Sequence, residues 1–250
     1  MSDQPSVIRR REGAVLTLTI NRPERANALD SATVDALFDA FADPGDARVV
    51  VLTGAGERAF CSGADLSGTL PEKTAAGFTH LLAAMGDCPA PIIARVNGAA
   101  AGGGVGLLCA ADIAIASETA TVATPEGRVG LFPFMILPYL LRVASTRHVA
   151  EMAYAGRRLS ASEAVEAGFF TRMTAPDALD GQIDETARAV AAMGPQAMKA
   201  GRKAFLHRLS ADGDPDEAMA EAFRALSSGP EAIEGLAARR ERRAPSWSLT

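Results

Sequence analysis

The sequence predicts an α/β core with parallel strand pairing, followed by an all-helical C-terminal region. Three observations carry that reading. Short apolar runs rich in β-branched residues, at Val49 to Leu52, Pro91 to Val96 and Ile113 to Ala116, alternate with segments of helical character, as parallel sheets require. From about residue 177 the strand-like runs stop and apolar residues recur at helical spacing only. The chain has 250 residues, 48% of them hydrophobic, which is enough to bury a large core. The division expected is a core over residues 1–190 and a helical region over 191–250.

The elements follow in order. Val7-Ile8 and Ala14 to Ile20 flank a turn at Glu12-Gly13 and read as a hairpin, closed by Asn21-Arg22-Pro23. Asp30-Ser31 offers an N-cap to a helix with Val34, Leu37, Phe38 and Phe41 on one face. The first buried strand runs into Thr53-Gly54-Ala55-Gly56, and the second into Asn97-Gly98. In the tail, Leu179, Ile183, Val190 and Met193 share a helical face, as do Met198, Phe205 and Leu209, and then Met219, Phe223 and Leu226. Gly194-Pro195, Gly213-Asp214-Pro215 and Gly229-Pro230 break these helices, which are expected to pack on the core or on a neighbouring subunit.

Composition narrows the function. A net charge of −5 lacks the basic footprint of a nucleic-acid partner. Cys61, Cys88 and Cys109 are odd in number and have no CxxC spacing, so they read as buried, reduced thiols. The basic N-terminus has no apolar stretch behind it, and no apolar run is long enough to span a membrane. A cytoplasmic protein with no membrane partner is expected. His80, His148 and His207 lack metal-ligand spacing, and no metal site is expected.

The chemistry concentrates in three stretches. The first is AAAGGGVGLLCAADIAIA, residues 99 to 116. Its glycines complete neither GxGxxG nor a P-loop, so a nucleotide cradle is a poor match. An apolar helix starting inside the run would leave free N–H groups at its positive end, suited to an oxyanion. Taken alone, tight packing of a buried helix explains the run better. The second stretch, AFCSGADL at 59 to 66, has the same texture, and two such loops converging on one carbonyl oxygen tilt the reading toward an oxyanion site. Ser62 lacks the GxSxG elbow of a hydrolase nucleophile and reads as a turn hydroxyl.

The third stretch is ATPEGRVGLFP, residues 123 to 133. Locally, Thr124 serves as N-cap, Pro125 as the first helical residue and Glu126 as a dipole-compatible acid. Placed instead over a thioester α-carbon, a partly desolvated Glu126 has the raised pKa that proton transfer needs. Gly130 to Met135 then reads as an acyl pocket or as plain core. Asp112 reads as a cap, and Asp65 as an acceptor for turn amides.

Taken together, NRPERANAL (21–29), FCSGADL (60–66), VNGAAAGGGVGLLCAADIAIA (96–116), TPEGRVGLFP (124–133), GRRLSASEAVEAGF (156–169) and EGLAARRERRAPSW (234–247) resemble the crotonase (enoyl-CoA hydratase/isomerase) superfamily, in family order over nearly the whole chain. The resemblance implies a spiral of ββα units with a C-terminal helical trimerisation region, assembled as a homotrimer or hexamer. It implies an acyl-CoA thioester as substrate, coenzyme A being part of that substrate and no separate cofactor being needed. It places the oxyanion hole at the N–H groups of Ser62 and Gly103. It places coenzyme A contacts at Arg25, Ser62, Gly63, Ala64, Asp65 and Leu66, with added charge from Arg239 to Arg243.

One departure from the resemblance matters. Family hydratases carry two glutamates; the first falls at Gly106 here, and the second is retained as Glu126. Hydration needs an activated water and a delivered proton, whereas moving a double bond from the 3,4 to the 2,3 position needs one group that takes and returns a proton. The resemblance therefore favours an isomerase, ahead of a hydratase or a catalytically silent acyl-CoA binder. It also leads to the expectation that Gly106→Glu raises hydration, provided the site keeps hydratase geometry.

Overall fold

The computed structural model describes residues 4–65, 72–208 and 215–248. Strands β1 (Val7–Glu12) and β2 (Val15–Ile20) form an antiparallel hairpin about a tight turn, with Gly13 at φ +55°. Helix α1 (Ser31–Ala42) is capped by Asp30, whose carboxylate accepts from the Thr33 N–H at 2.8 Å, and it buries Val34, Leu37 and Phe41. Phe38, expected on the same face, is 38% exposed.

The chain then repeats one motion: a long strand, a short strand displaced into a second sheet, and a helix. The first pass is β3 (Val49–Gly54), β4 (Ala59–Cys61) and α2 (Glu72–Asp87). The second is β5 (Ile92–Val96), β6 (Ala99–Ala101) and α3 (Gly103–Ala110). A third begins with β7 (Ile113–Ser117) and β8 (Thr121–Ala123), continues through α4 (Leu137–Val143) and α5 (Thr146–Ala155), and returns as β9 (Arg158–Ser160), α6 (Ala161–Ala167) and β10 (Arg172–Thr174). The long strands form one sheet in the order β1-β2-β3-β5-β7-β10, parallel apart from the hairpin. The short strands form the other, β4-β6-β8-β9, of which β4, β6 and β8 are parallel. This is the ββα spiral of the crotonase fold.

Both faces of β3 are buried, which explains its uninterrupted Val-Val-Val-Leu run. One face joins the main core with α1, α2 and α3; the other, through Val49 and Val51, packs on α7 (Leu179–Ala191) by way of Leu179, Ile183, Ala187 and Ala191. Met193, expected to continue that face, lies past the helix end and is exposed.

Helices α8 (Pro195–Arg208), α9 (Pro215–Ser227) and α10 (Pro230–Glu241) complete the chain. Glu231 caps α8, accepting from the Gln196 and Ala197 N–H groups at 2.8 Å each. Arg202 ties α8 to the core. It is 7% exposed, and its guanidinium donates to the Met85, Gly86 and Cys88 carbonyls at the end of α2 and to Asp112 Oδ2 at 2.7 Å. Asp112, read as a cap, is the acid of that ion pair and also accepts from the Ile92 N–H at 2.7 Å. Phe205 and Phe223, expected on apolar faces, remain exposed and face away from this chain's core, as do Ile233 and Leu236; Leu209 lies outside the described residues. All three cysteines are free and buried, and burial pushes the Cys61 and Cys109 thiols up to about 12. No helix among the described residues is long and apolar enough to cross a membrane, and no group of potential metal ligands is found among them.

Candidate active site

Three parallel strands of the small sheet end side by side. Ala59 pairs with Ala99 and Cys61 with Ala100; Ala100 pairs with Val122 and Ala101 with Ala123. Neighbouring strands lie about 4.8 Å apart. The segments that leave their C-terminal ends, 62–65, 102–103 and 124–126, are therefore delivered to one place. The open end of a parallel sheet is where α/β proteins commonly bind ligands.

The first two segments meet through glycine backbones. Gly63 has φ +90°, and a Cβ placed on it would lie 2.8 Å from the Ala101 carbonyl oxygen and 2.9 Å from the Gly103 nitrogen. Gly102, at φ +51°, is the N-cap of α3, so the N–H of Gly103 points from the first turn of that helix. That N–H has no hydrogen-bond partner among the described residues. First-turn N–H groups also carry the positive end of the helix dipole.

On the facing loop the free donor is not the expected one. The Ser62 N–H donates to the Ala26 carbonyl at 3.1 Å, the Gly63 N–H to Cys61 Sγ at 3.5 Å, and the Asp65 N–H to the Leu29 carbonyl at 2.9 Å. The Ala64 N–H is left without a partner among the described residues. The donor role assigned to Ser62 is corrected on this ground: its N–H is engaged in holding the loop to the turn at Ala26. The Ser62 side chain is exposed and forms no elbow.

Glu126 arrives from the third strand. Its Oε1 lies 3.3 Å from where a Cβ on Gly102 would be, so the carboxylate rests on the glycine run beside the Gly103 N–H. Its Oε2 is buried with no hydrogen-bond partner among the described residues. Burial holds the carboxyl above its ordinary range, opposed by a hydrogen bond from its own backbone N–H. The expected cap geometry is not present. The turn Glu126–Val129 is a 3-10 turn with Pro125 as N-cap, and the Thr124 hydroxyl is buried and makes no cap bond. The Leu131 N–H holds the next segment by donating to the Glu126 carbonyl at 3.0 Å. Beyond it Leu131 and Phe134 are 45% and 73% exposed, so this segment is an open apolar surface and not core.

The remaining positions separate into structural and available groups. Asp65 Oδ2 accepts from Arg22 Nη2 at 2.9 Å, and the same nitrogen lies 3.1 Å from Asp30; the turn amides that follow Asp65, its expected donors, lie outside the described residues. Arg25, on the turn next to Ala26, is exposed and its guanidinium has no partner among the described residues. Ala64 is exposed, and Leu66 lies outside the described residues. Arg243 is engaged by Glu234 and Glu241, and Arg239 and Arg240 are exposed.

Two side chains of the site had no local sequence signal. A Cβ on Gly106 would fall inside the Ile136 methyl Cγ2, and would lie 3.2 Å from Ile136 Cβ and 3.3 Å from Phe78 Cζ. The space that a side chain at 106 would occupy is thus filled by Ile136 and Phe78, so the geometry on which the expected gain of hydration by Gly106→Glu depends requires these side chains to shift.

The enoyl-CoA hydratase/isomerase family model matches residues 10–249. The chain is 34% identical to a carnitinyl-CoA dehydratase of Salmonella typhi, over 95% of this chain and 96% of that one. It superposes on an enoyl-CoA hydratase of Mycobacterium smegmatis with a TM-score of 0.92 at 33% identity, covering 98% and 99% of the two chains. An enoyl-CoA hydratase of Bacillus anthracis gives a TM-score of 0.91 at 29% identity, covering 97% of this chain and 99% of that one. The chain belongs to the enoyl-CoA hydratase/isomerase, or crotonase, family.

Proposed function

We propose that this enzyme shifts the double bond of a 3-enoyl-CoA to the 2,3 position by proton transfer through Glu126. The observation that carries the reading is a half-buried carboxylate beside two backbone N–H groups without partners among the described residues. The thioester oxygen accepts from the Ala64 and Gly103 N–H groups, which stabilise the negative charge that develops there. Glu126 removes a proton from C2, the electrons of that C–H bond move into the dienolate, and the same carboxylic acid returns the proton to C4. Atoms and electrons balance within substrate and side chain, so no water and no cofactor is consumed.

The raised pKa of Glu126 makes it a stronger base for removing the C2 proton, and keeps that proton on the carboxyl until it is returned to C4. Arg25 is available for the phosphates of coenzyme A, and the exposed Leu131 and Phe134 offer an apolar surface to the acyl chain. The uncovered apolar residues of α8 to α10 suit assembly into a trimer or hexamer. Hydration and dehydration form the second reading, favoured by the names of the relatives. A silent acyl-CoA binder is the third.

The test is Glu126→Gln, assayed with 3-hexenoyl-CoA and with crotonyl-CoA. Loss of isomerisation with retained coenzyme A ester binding supports the assignment; isomerisation at the wild-type rate overturns it. Crotonyl-CoA hydration as the dominant wild-type activity selects the second reading, and saturable binding without turnover the third.

A further inference from the structure

The glycine run has two sides, and they differ in chemistry. Gly102 faces the Glu126 carboxylate. Gly103 and Gly106, one helical turn apart on α3, face hydrocarbon: Phe78 Cζ lies 3.3 Å from a Cβ on either, and Ile136 fills the rest of the space at 106. The three heavy atoms nearest to a Cβ on Gly106 all belong to Ile136 and Phe78. Both residues are held firmly. Phe78 is 6% exposed within α2, and Ile136 is 2% exposed at the start of α4, where its carbonyl accepts from the Tyr139 and Leu140 N–H groups at 3.0 Å.

We propose that Phe78 and Ile136 are specificity-determining residues, forming a dry wall beside the Gly103 N–H that directs the bound thioester to proton transfer and away from addition of water. The proposal rests on the reading of Glu126 as the proton-transfer group. A water that adds to an enoyl thioester has to be held and deprotonated by an acceptor, and an ordered water needs two to four polar partners. The wall supplies none. It also fills the space into which a carboxylate at 106 would project, so the absence of a glutamate at 106 and the presence of Ile136 are a single packing solution.

The experiment compares Ile136→Ala, Gly106→Glu and the double variant, each assayed for hydration of crotonyl-CoA and isomerisation of 3-hexenoyl-CoA. The ratio of the two rates is expected to rise at least tenfold in the double variant, and to rise to a smaller degree in Ile136→Ala. Thermal melting supplies a readout independent of turnover. Ile136→Ala should lower the melting temperature in the wild-type background, and raise it in the Gly106→Glu background, where it relieves the overlap. Phe78→Leu keeps a buried hydrocarbon while withdrawing the ring from Gly103, and its ratio should also rise. Folded variants whose ratios all stay within twofold of wild type, or a double variant less stable than Gly106→Glu alone, overturn the wall while leaving Glu126 in place. A wild-type protein that isomerises no 3-enoyl-CoA overturns the Glu126 reading, and the wall with it.

Discussion

Two carboxylates bracket helix α3, and the molecule treats them in opposite ways. Asp112, just past its C-terminal end, is met by a buried guanidinium and a backbone N–H, each at 2.7 Å. Glu126, against its N-terminal end, buries one oxygen with no partner among the described residues. A buried acid left unpaired destabilises its own charged form, and a fold retains one where that raised proton affinity is used. The first acid holds the C-terminal helices to the core; the second is the acid proposed above to move the proton.

Several substitutions break or sharpen this contrast. The largest effect is on chemistry. Glu126→Gln should lower turnover of 3-hexenoyl-CoA by about 10²- to 10⁴-fold, the contribution usual for a positioned acid–base group. In the wild type, kcat/KM should rise with pH through a Glu126 pKa lying above 4.5, since the base acts deprotonated, and that limb should vanish in the variant. Arg202→Met reverses the pattern: it leaves Asp112 without its cation and should cost about 3–5 kcal/mol in denaturant unfolding. The turnover of the protein that stays folded should change little.

Asp112→Asn keeps an acceptor for the Ile92 N–H but removes the charge, and should cost about 1–3 kcal/mol by the same measurement. The smallest effect is a linkage effect at Glu126. Its folded-state pKa is raised, so its favourable contribution to stability is complete below the unfolded value of 4.5 and is lost as pH rises through the folded value. Glu126→Gln should therefore melt higher than wild type at neutral pH, with the gap closing in acid. Equal melting temperatures at both pH values would show that the carboxylate is not desolvated.

What could be read from the chain alone was set by local pattern. The β-branched runs, the glycine cluster opening an apolar helix and the Pro-Glu turn each announce themselves within a dozen residues, and the structure places all of them as elements of the spiral. Most of the misreadings are long-range. Whether Ser62 or Ala64 carries the free N–H depends on a bond to Ala26, 36 positions earlier by residue number. Asp112 became an ion-pair partner only because α8 brings Arg202 to it from 90 residues away. Ile136 and Phe78 look like ordinary core residues in sequence; their meaning comes from the missing side chain at Gly106. Thr124 met every rule for a cap, but the chain enters a 3-10 turn at Pro125 instead.

The contact between Gly63 and the Gly102-Gly103 backbone has a consequence for redesign. With less than 3 Å between a hypothetical Cβ on Gly63 and the Ala101 oxygen and Gly103 nitrogen opposite, a side chain at 63 would force the two loops apart. The close approach of the two loops is thus a fixture made by leaving atoms out, and offers an engineer nothing to adjust. New reactions on this scaffold have to be written at 126, 136 and 78, the side chains that flank the glycine run, with that backbone contact carried unchanged from one chemistry to the next.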